Sequence, residues 1–204
     1  MKKSIFKADK KYTFKDYFDM PYPVEEIIAA LGYCYQLESL VLPQSQQFNH
    51  QAIQALQQSF YTVLPKVNLS SEAARREFLI SPLLFEMAKE SDVKFYIEYP
   101  VEVNHLLSGY LDYLIYSPKN LIVIEAKRGD LDKGFNQLAA ELIALDMYEE
   151  DCSDELFYGV VTVGDIWRFA VLNRTQKKIS RDMRNYTIPE HVKEVFSILI
   201  GITS

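Results

Sequence analysis

Two cysteines, three histidines and seven glycines are all that the 204-residue chain carries of these types. Cys34 and Cys152 stand in unrelated contexts. That excludes a disulfide scaffold or a cysteine metal knuckle and points to a reducing compartment, the cytoplasm. His50, His105 and His191 lack metal-ligand spacing, so each is expected at the surface. The scarcity of Gly, with eight Pro, argues against long disordered regions. No apolar run approaches the roughly 20 residues of a membrane span, so no membrane partner is expected. The basic opening MKKSIFKADKKYTF has no apolar core behind it and does not read as a secretory signal. Internal repeats and RNA-recognition signatures are also missing, and the aromatics read as core and surface residues, not as a stacking platform.

The composition that is present suits one globular domain with a full core: 49% of residues are hydrophobic. Net charge is −6 and the sequence pI about 5.2, which counts against a protein that coats nucleic acid. The charge is uneven, however. Six lysines fall in the first fifteen residues, five acids in 149–155, and five basic residues against one acid in 173–184. A local basic strip of Arg174, Lys177, Lys178, Arg181 and Arg184 is therefore a candidate for phosphate contacts, with a solvated loop as the plain alternative.

Residues 1–69 read as an N-terminal elaboration, 70–172 as the core, and 173–204 as a basic segment ending in a helix. In the first part Thr13 can cap a short helix at FKDYF, VEEIIAALG is helical to Gly32, YCYQLESLVL is strand-like, and NHQAIQALQQSFYTVL returns to helical spacing. Within the core, residues 70–90 are helical with serines to cap them. VKFYIEYPVEV is a strand whose Pro100 implies an edge or bulge. GYLDYLIY and LIVIEA form a hairpin, and LDKGFNQLAAELIALDMYEE is a helix with a stripe of Leu131, Phe135, Leu138, Leu142 and Leu145. LFYGVVTVG and IWRFAVLN make a second hairpin. Thr187 and Glu190 suggest a capping box before a last helix that Gly201 ends. The predicted order is α-β-β-β-α-β-β, an α/β sandwich with a mixed central sheet between helices.

The first hairpin raises a chemical question, because an apolar run carries Asp112, Glu125 and Lys127. A four-residue turn at 117–120 pairs Tyr116 with Leu121, and the same register opposes Asp112 and Glu125. Opposed side chains have Cβ atoms about 4.5–5.5 Å apart, and Lys127 shares their face. Two carboxylates this close resist ionising together; a divalent cation would resolve that, as would a salt-bridged trio at a sheet end. On the preceding helix, Glu77 falls at the centre of an otherwise apolar face, with Arg76 at its border. It is expected either in a salt bridge to the sheet or beside a metal cluster. On the following helix Gln137 lies on a face of small residues, Gly134, Ala140 and Ala144, with Glu141. It either hangs near the strand end that carries Lys127 or is a partly exposed amide.

The ordered set of helix Glu77, LDY with Asp112, EAK with Glu125 and Lys127, and GFNQLAAE with Gln137 resembles the PD-(D/E)XK nuclease superfamily, of restriction endonuclease-like fold. The resemblance covers roughly residues 70–172, and Leu111 stands where that motif's proline would be. It implies Mg²⁺ (or Mn²⁺) on Asp112, Glu125 and the Ala126 backbone carbonyl, with Glu77 reaching the ion through a water. It implies that Lys127 holds or activates the attacking water and that Gln137 steadies Lys127 or a phosphate. The implied function is a magnesium-dependent endonuclease hydrolysing nucleic acid, DNA before RNA, alone, as a homodimer, or with a recognition subunit. The alternative is a catalytically silent binding or assembly module of the same fold.

Overall fold

The computed structural model describes residues 5–7, 9–117, 120–126, 129–149 and 154–204, with the backbone alone for 121 and 126. In chain order the elements are α1 (Phe14–Phe18), α2 (Val24–Ala30), β1 (Cys34–Glu38), α3 (His50–Val63), α4 (Glu72–Arg75), a π-helical turn (Arg76–Ile80), α5 (Ser81–Glu90), β2 (Lys94–Glu102), β3 (Ser108–Tyr116), β4 (Leu121–Ala126), α6 (Leu131–Tyr148), β5 (Leu156–Thr162), β6 (Ile166–Asn173), β7 (Lys178–Asp182), β8 (Tyr186–Thr187) and α7 (Val192–Thr203). Among the described residues no helix is long and apolar enough to cross a membrane.

One mixed sheet organises the chain, in the order β1-β7-β6-β5-β4-β3-β2, with β8 beside β6. The predicted α/β class, the mixed sheet and the core order are all present. β2, β3 and β4 form an antiparallel meander, and β4 then runs parallel to β5. Parallel neighbours need a long crossover, and α6 provides it. β2, which carries Pro100, is the last strand of the sheet, where a missing N–H is tolerated.

Strand alternation splits the core into two layers. Ile115, Ile122, Ile124, Val160 and Phe169 pack with α3, the π-helical turn, α5 and α7. Leu114, Val123, Phe157, Val161 and Ile179 pack on the opposite face with α1, α2 and α6. Gly159 lets α6 lie close to the sheet, because a Cβ there would stand 2.8 Å from Leu142 Cδ1. α6 is not merely amphipathic, as its stripe predicted. Residues 134–145 are all buried, because α1 and α2 cover the side that would otherwise meet water.

Three further expectations change. The basic segment is not a loop: Lys178–Asp182 form β7, antiparallel to β6 and parallel to β1, so the N-terminal and C-terminal stretches extend the same sheet. Gly201 does not end the last helix but lies inside α7. There a Cβ would come within 2.6 Å of the Gln44 Cα and backbone N; the glycine serves a close backbone approach, not a cap. Thr187 does precede α7, but its N–H donates to His191 Nδ1 at 3.0 Å, and the helix is capped at His191.

Candidate functional site

The hairpin of β3 and β4 has the register that its turn length predicts. Ser117 N–H donates to Asn120 O at 2.9 Å, and the ladder runs from Tyr116↔Leu121 to Tyr113↔Ile124. The ladder stops one step short of Asp112 and Glu125, which follow its last pair on the two strands. Val123 faces the α6 layer, so Glu125, two residues on, does too. Glu125 is fully buried, near the end of β4 and just before the connection to α6. The carboxyl end of a strand leading into a crossover helix is a common place for a site in mixed sheets.

Asp112 stands at an irregularity. The β2–β3 ladder pairs Ile97 with Tyr113 and Tyr99 with Leu111, leaving out Glu98 and Asp112. Glu98 adopts a left-handed φ of 53°, and Leu111 and Leu114 both belong to the α6-side core. Strict alternation therefore fails at this point, as at a β-bulge. The local break allows Asp112 to be approached from both layers. Arg76 Nη1 lies 3.8 Å from Asp112 Oδ1 and 3.8 Å from Glu98 Oε1, its Nε donates to the Tyr113 hydroxyl at 3.3 Å, and its guanidinium lies over the Tyr113 ring. Burial works against the Arg76 charge, but the Tyr113 bond and the two carboxylates outweigh it and raise its pKa.

From the other layer comes Glu141 of α6, fully buried against Glu125. Gln137, also buried, donates its amide to Glu141 Oε1 at 2.9 Å across one helical turn. Glu141 Oε2 and Gln137 Oε1 are buried without a hydrogen-bond partner among the described residues. Burial pushes the Glu141 carboxyl well above the usual carboxylate range. The closeness of the Glu125 carboxylate adds to this, the Gln137 amide opposes it, and the charge of Asp112 adds again. Two ionised carboxylates cannot hydrogen-bond each other; only a proton or a cation between them makes the contact favourable.

Glu77 is not where the helical wheel put it. It is exposed and lines a cleft of about 360 Å³ with Arg76, Glu98 and Tyr113. The physical reason is the π-helical turn at 76–80. A π turn takes more residues than an α turn and shifts the register of everything before it. The buried face of this segment becomes Leu79, Ile80, Leu83, Leu84 and Met87, while Phe85 is exposed. Arg76, not Glu77, reaches Asp112. The carboxylate that sequence reasoning passed over is Glu141. Its signal was available: an acid four residues after Gln137 on a face otherwise made of small residues.

Lys127 lies outside the described residues. Ala126 closes β4 opposite Thr162. The basic residues of 173–184 do not form one free strip. Arg174 is withdrawn from the surface: its Nε binds Asp146 Oδ1 at 2.7 Å, and the guanidinium also donates to the carbonyls of Asp154 and Glu149. It thereby holds the C-terminal end of α6. Arg181 binds Asp132 at 2.8 Å, Lys178 lies 3.6 Å from Glu38, and Arg184 binds Asp182 at 3.2 Å and the Leu40 carbonyl. Lys177 lies over the Tyr33 ring.

Among the described residues no three His, Cys, Asp or Glu side chains stand close enough together to hold a metal ion. Mg²⁺, however, is commonly held by one or two carboxylates and completed by waters and substrate phosphate. The buried Glu125–Glu141 contact, with its orphaned Glu141 oxygen, has the donor chemistry for such an ion. No family model, no curated protein and no solved structure matches the chain.

Proposed function

We propose that the chain is a metal-dependent nuclease of restriction endonuclease-like fold that hydrolyses phosphodiester bonds of nucleic acid, DNA in the first instance. The observation that carries the reading is the burial of Glu125 against Glu141 at the end of β4, within reach of the charge of Asp112 on β3. Two buried carboxyl groups in contact cannot both ionise without cost, and a hydrophobic pair would pack there without it. Their retention is what a cation site requires.

Asp112, Glu125 and the Ala126 carbonyl would hold Mg²⁺ or Mn²⁺. Bound there, the ion would polarise a phosphoryl oxygen and lower the pKa of a coordinated water. The remaining work falls to the chain's own side chains. Lys127 would hold the attacking water and offset charge developing on the phosphate. Gln137 fixes the Glu141 carboxylate, which in turn borders Glu125. Arg76 balances Asp112 and offers a cation at the cleft that Glu77 lines. The expected product carries a 5′-phosphate.

One observation favours the second reading, a non-catalytic binding or assembly module. Arg76 already stands between Asp112 and Glu98, so Asp112 has a cation without a metal. Labelled single- and double-stranded DNA and RNA, incubated with Mg²⁺ or Mn²⁺ against a chelator, separate the two. Chelator-sensitive cleavage supports the enzyme. Chelator-insensitive binding of the same substrates, without cleavage, supports the module.

A further inference from the structure

A second polar cleft borders the N-terminal turns of α6 and shares no lining residue with the cleft at Glu77. It has a volume of about 330 Å³ and runs between α2, the first turns of α6, β1 and β7. Its floor includes Asn136, which is only 6% exposed. No described residue hydrogen-bonds the Asn136 amide. An amide at this depth that borders the cleft and that no described group engages is suited to bind something that enters it.

The walls supply cations. Arg181 and Lys133 line the cleft. Arg168 joins Arg181 at a shared partner: Arg168 Nη1 and Arg181 Nη1 lie 2.7 and 2.8 Å from the same oxygen, Asp132 Oδ1. The two guanidiniums are largely covered, with side chains 14% and 18% exposed, whereas the Asp132 side chain is 73% exposed. Two largely covered donors thus converge on one oxygen atom of a solvent-exposed carboxylate. The backbone N–H groups of the first α6 turn do not contribute, because the Asp130 carboxylate already accepts from Asp132 and Lys133. Among the lining residues the cations Lys133 and Arg181 balance the carboxylates of Asp132 and Glu25, and Arg168, paired to Asp132, brings a further cation to that carboxylate.

We propose that this cleft is a phosphate-binding subsite, in which a phosphate group is held by Arg168, Arg181 and the Asn136 amide, and that Asp132 occupies the anion position in its absence. Arginine pairs recognise phosphate through several parallel N–H bonds, stronger than those to a single carboxylate oxygen. An exposed ion pair is worth about 0–1 kcal/mol, so Asp132 is a displaceable stand-in. The phosphate can belong to a nucleic-acid strand or to a small phosphate ester; the chemistry of the cleft is the same for both. The proposal does not depend on the metal site.

The test uses the intact chain in chelator, titrated at constant ionic strength with inorganic phosphate, 5′-dAMP and a single-stranded octanucleotide. The readout is the guanidinium Nε–H resonances of Arg168 and Arg181, which parent and variants share, with the Asn136 side-chain amide as a second reporter in the proteins that retain it. Saturable shifts are expected. Asp132→Asn should tighten phosphate binding about fivefold for each ion pair released, taking 1 kcal/mol per pair. Asn136→Ala should weaken it about fivefold or more. Much tighter binding of the octanucleotide assigns the phosphate to a strand, and equal affinities assign it to a small ester; both support the subsite. Should Asn136→Ala not fold, Asp132→Asn alters only an exposed carboxylate and carries the test alone. No saturable shift with any probe, or an Asp132→Asn variant that binds no tighter, overturns the proposal.

Discussion

Replacing Glu141 with Gln should make the metal-free protein more stable at neutral pH, against the usual expectation for a buried side chain. Glu141 is fully buried against Glu125, and its folded-state pKa is raised by burial first and by Glu125 next. In the unfolded chain an ordinary Glu titrates near pH 4.3. Between that value and the raised folded value the native state binds one proton more than the unfolded chain. Stability therefore falls as pH rises, by about 1.4 kcal/mol per pH unit in that window. Below about pH 4 both states are protonated and the penalty vanishes. Glu141→Gln imitates the protonated acid. Its carbonyl can still accept from Gln137, and its amide can donate to Glu125. The variant and the parent should match near pH 4 and then diverge, the variant gaining about 1.4 kcal/mol for each unit until the parent's folded pKa is reached. Urea unfolding at pH 4, 5, 6 and 7 in chelator, followed by circular dichroism, measures this directly. Parallel pH profiles, or a variant less stable at pH 7, would show that Glu141 is not held protonated against a neighbouring carboxylate.

Arg174→Met should cost about 3–5 kcal/mol, because it leaves Asp146, only 10% exposed, with its buried ion pair broken; thermal melts report the loss. The same substitution should leave the salt slope of nucleic-acid binding unchanged, which a titration from low to moderate salt checks, since Arg174 is already committed to α6. Gly201→Ala should destabilise by about 1–3 kcal/mol through overpacking against Gln44. In an open helix the same change would stabilise by about 1 kcal/mol, so the sign read from a denaturant midpoint decides between close packing and a helix end.

The hairpin was legible because two local facts fix it. A four-residue turn sets the register, and period-two alternation sets the faces. The register from Tyr116↔Leu121 to Tyr113↔Ile124 could therefore be set from sequence, whereas the bulge at Asp112 could not. Glu77 could not be placed, because a helical wheel assumes 100° per residue throughout and the π-helical turn at 76–80 breaks that assumption without a compositional mark. Glu141 was visible only as a neighbour of Gln137; its meaning depends on how closely α6 lies on the sheet, which Gly159 permits from a different strand. β7 was hidden for a related reason. Lys178, Arg181 and Asp182 look like a charged loop, yet Ile179 and Ser180 are buried and the charges are paired, Lys178 with Glu38 of β1, Arg181 with Asp132 of α6 and Asp182 with Arg184. For Glu141 and β7 nonlocal partners decided the outcome, and no window of sequence contains them.

Central to the account is a cation seated by Asp112 and Glu125, with Lys127 acting on the reaction and not on the seat. Calorimetric titration with Mg²⁺, run beside a cleavage assay on the parent, Asp112→Ala and Lys127→Ala, tests it most directly. The account predicts metal heat and chelator-sensitive cleavage for the parent, loss of both for Asp112→Ala, and retained metal heat with turnover lowered by two or more orders of magnitude for Lys127→Ala. Equal heats of mere dilution for all three proteins, with no cleavage of DNA or RNA, would contradict it.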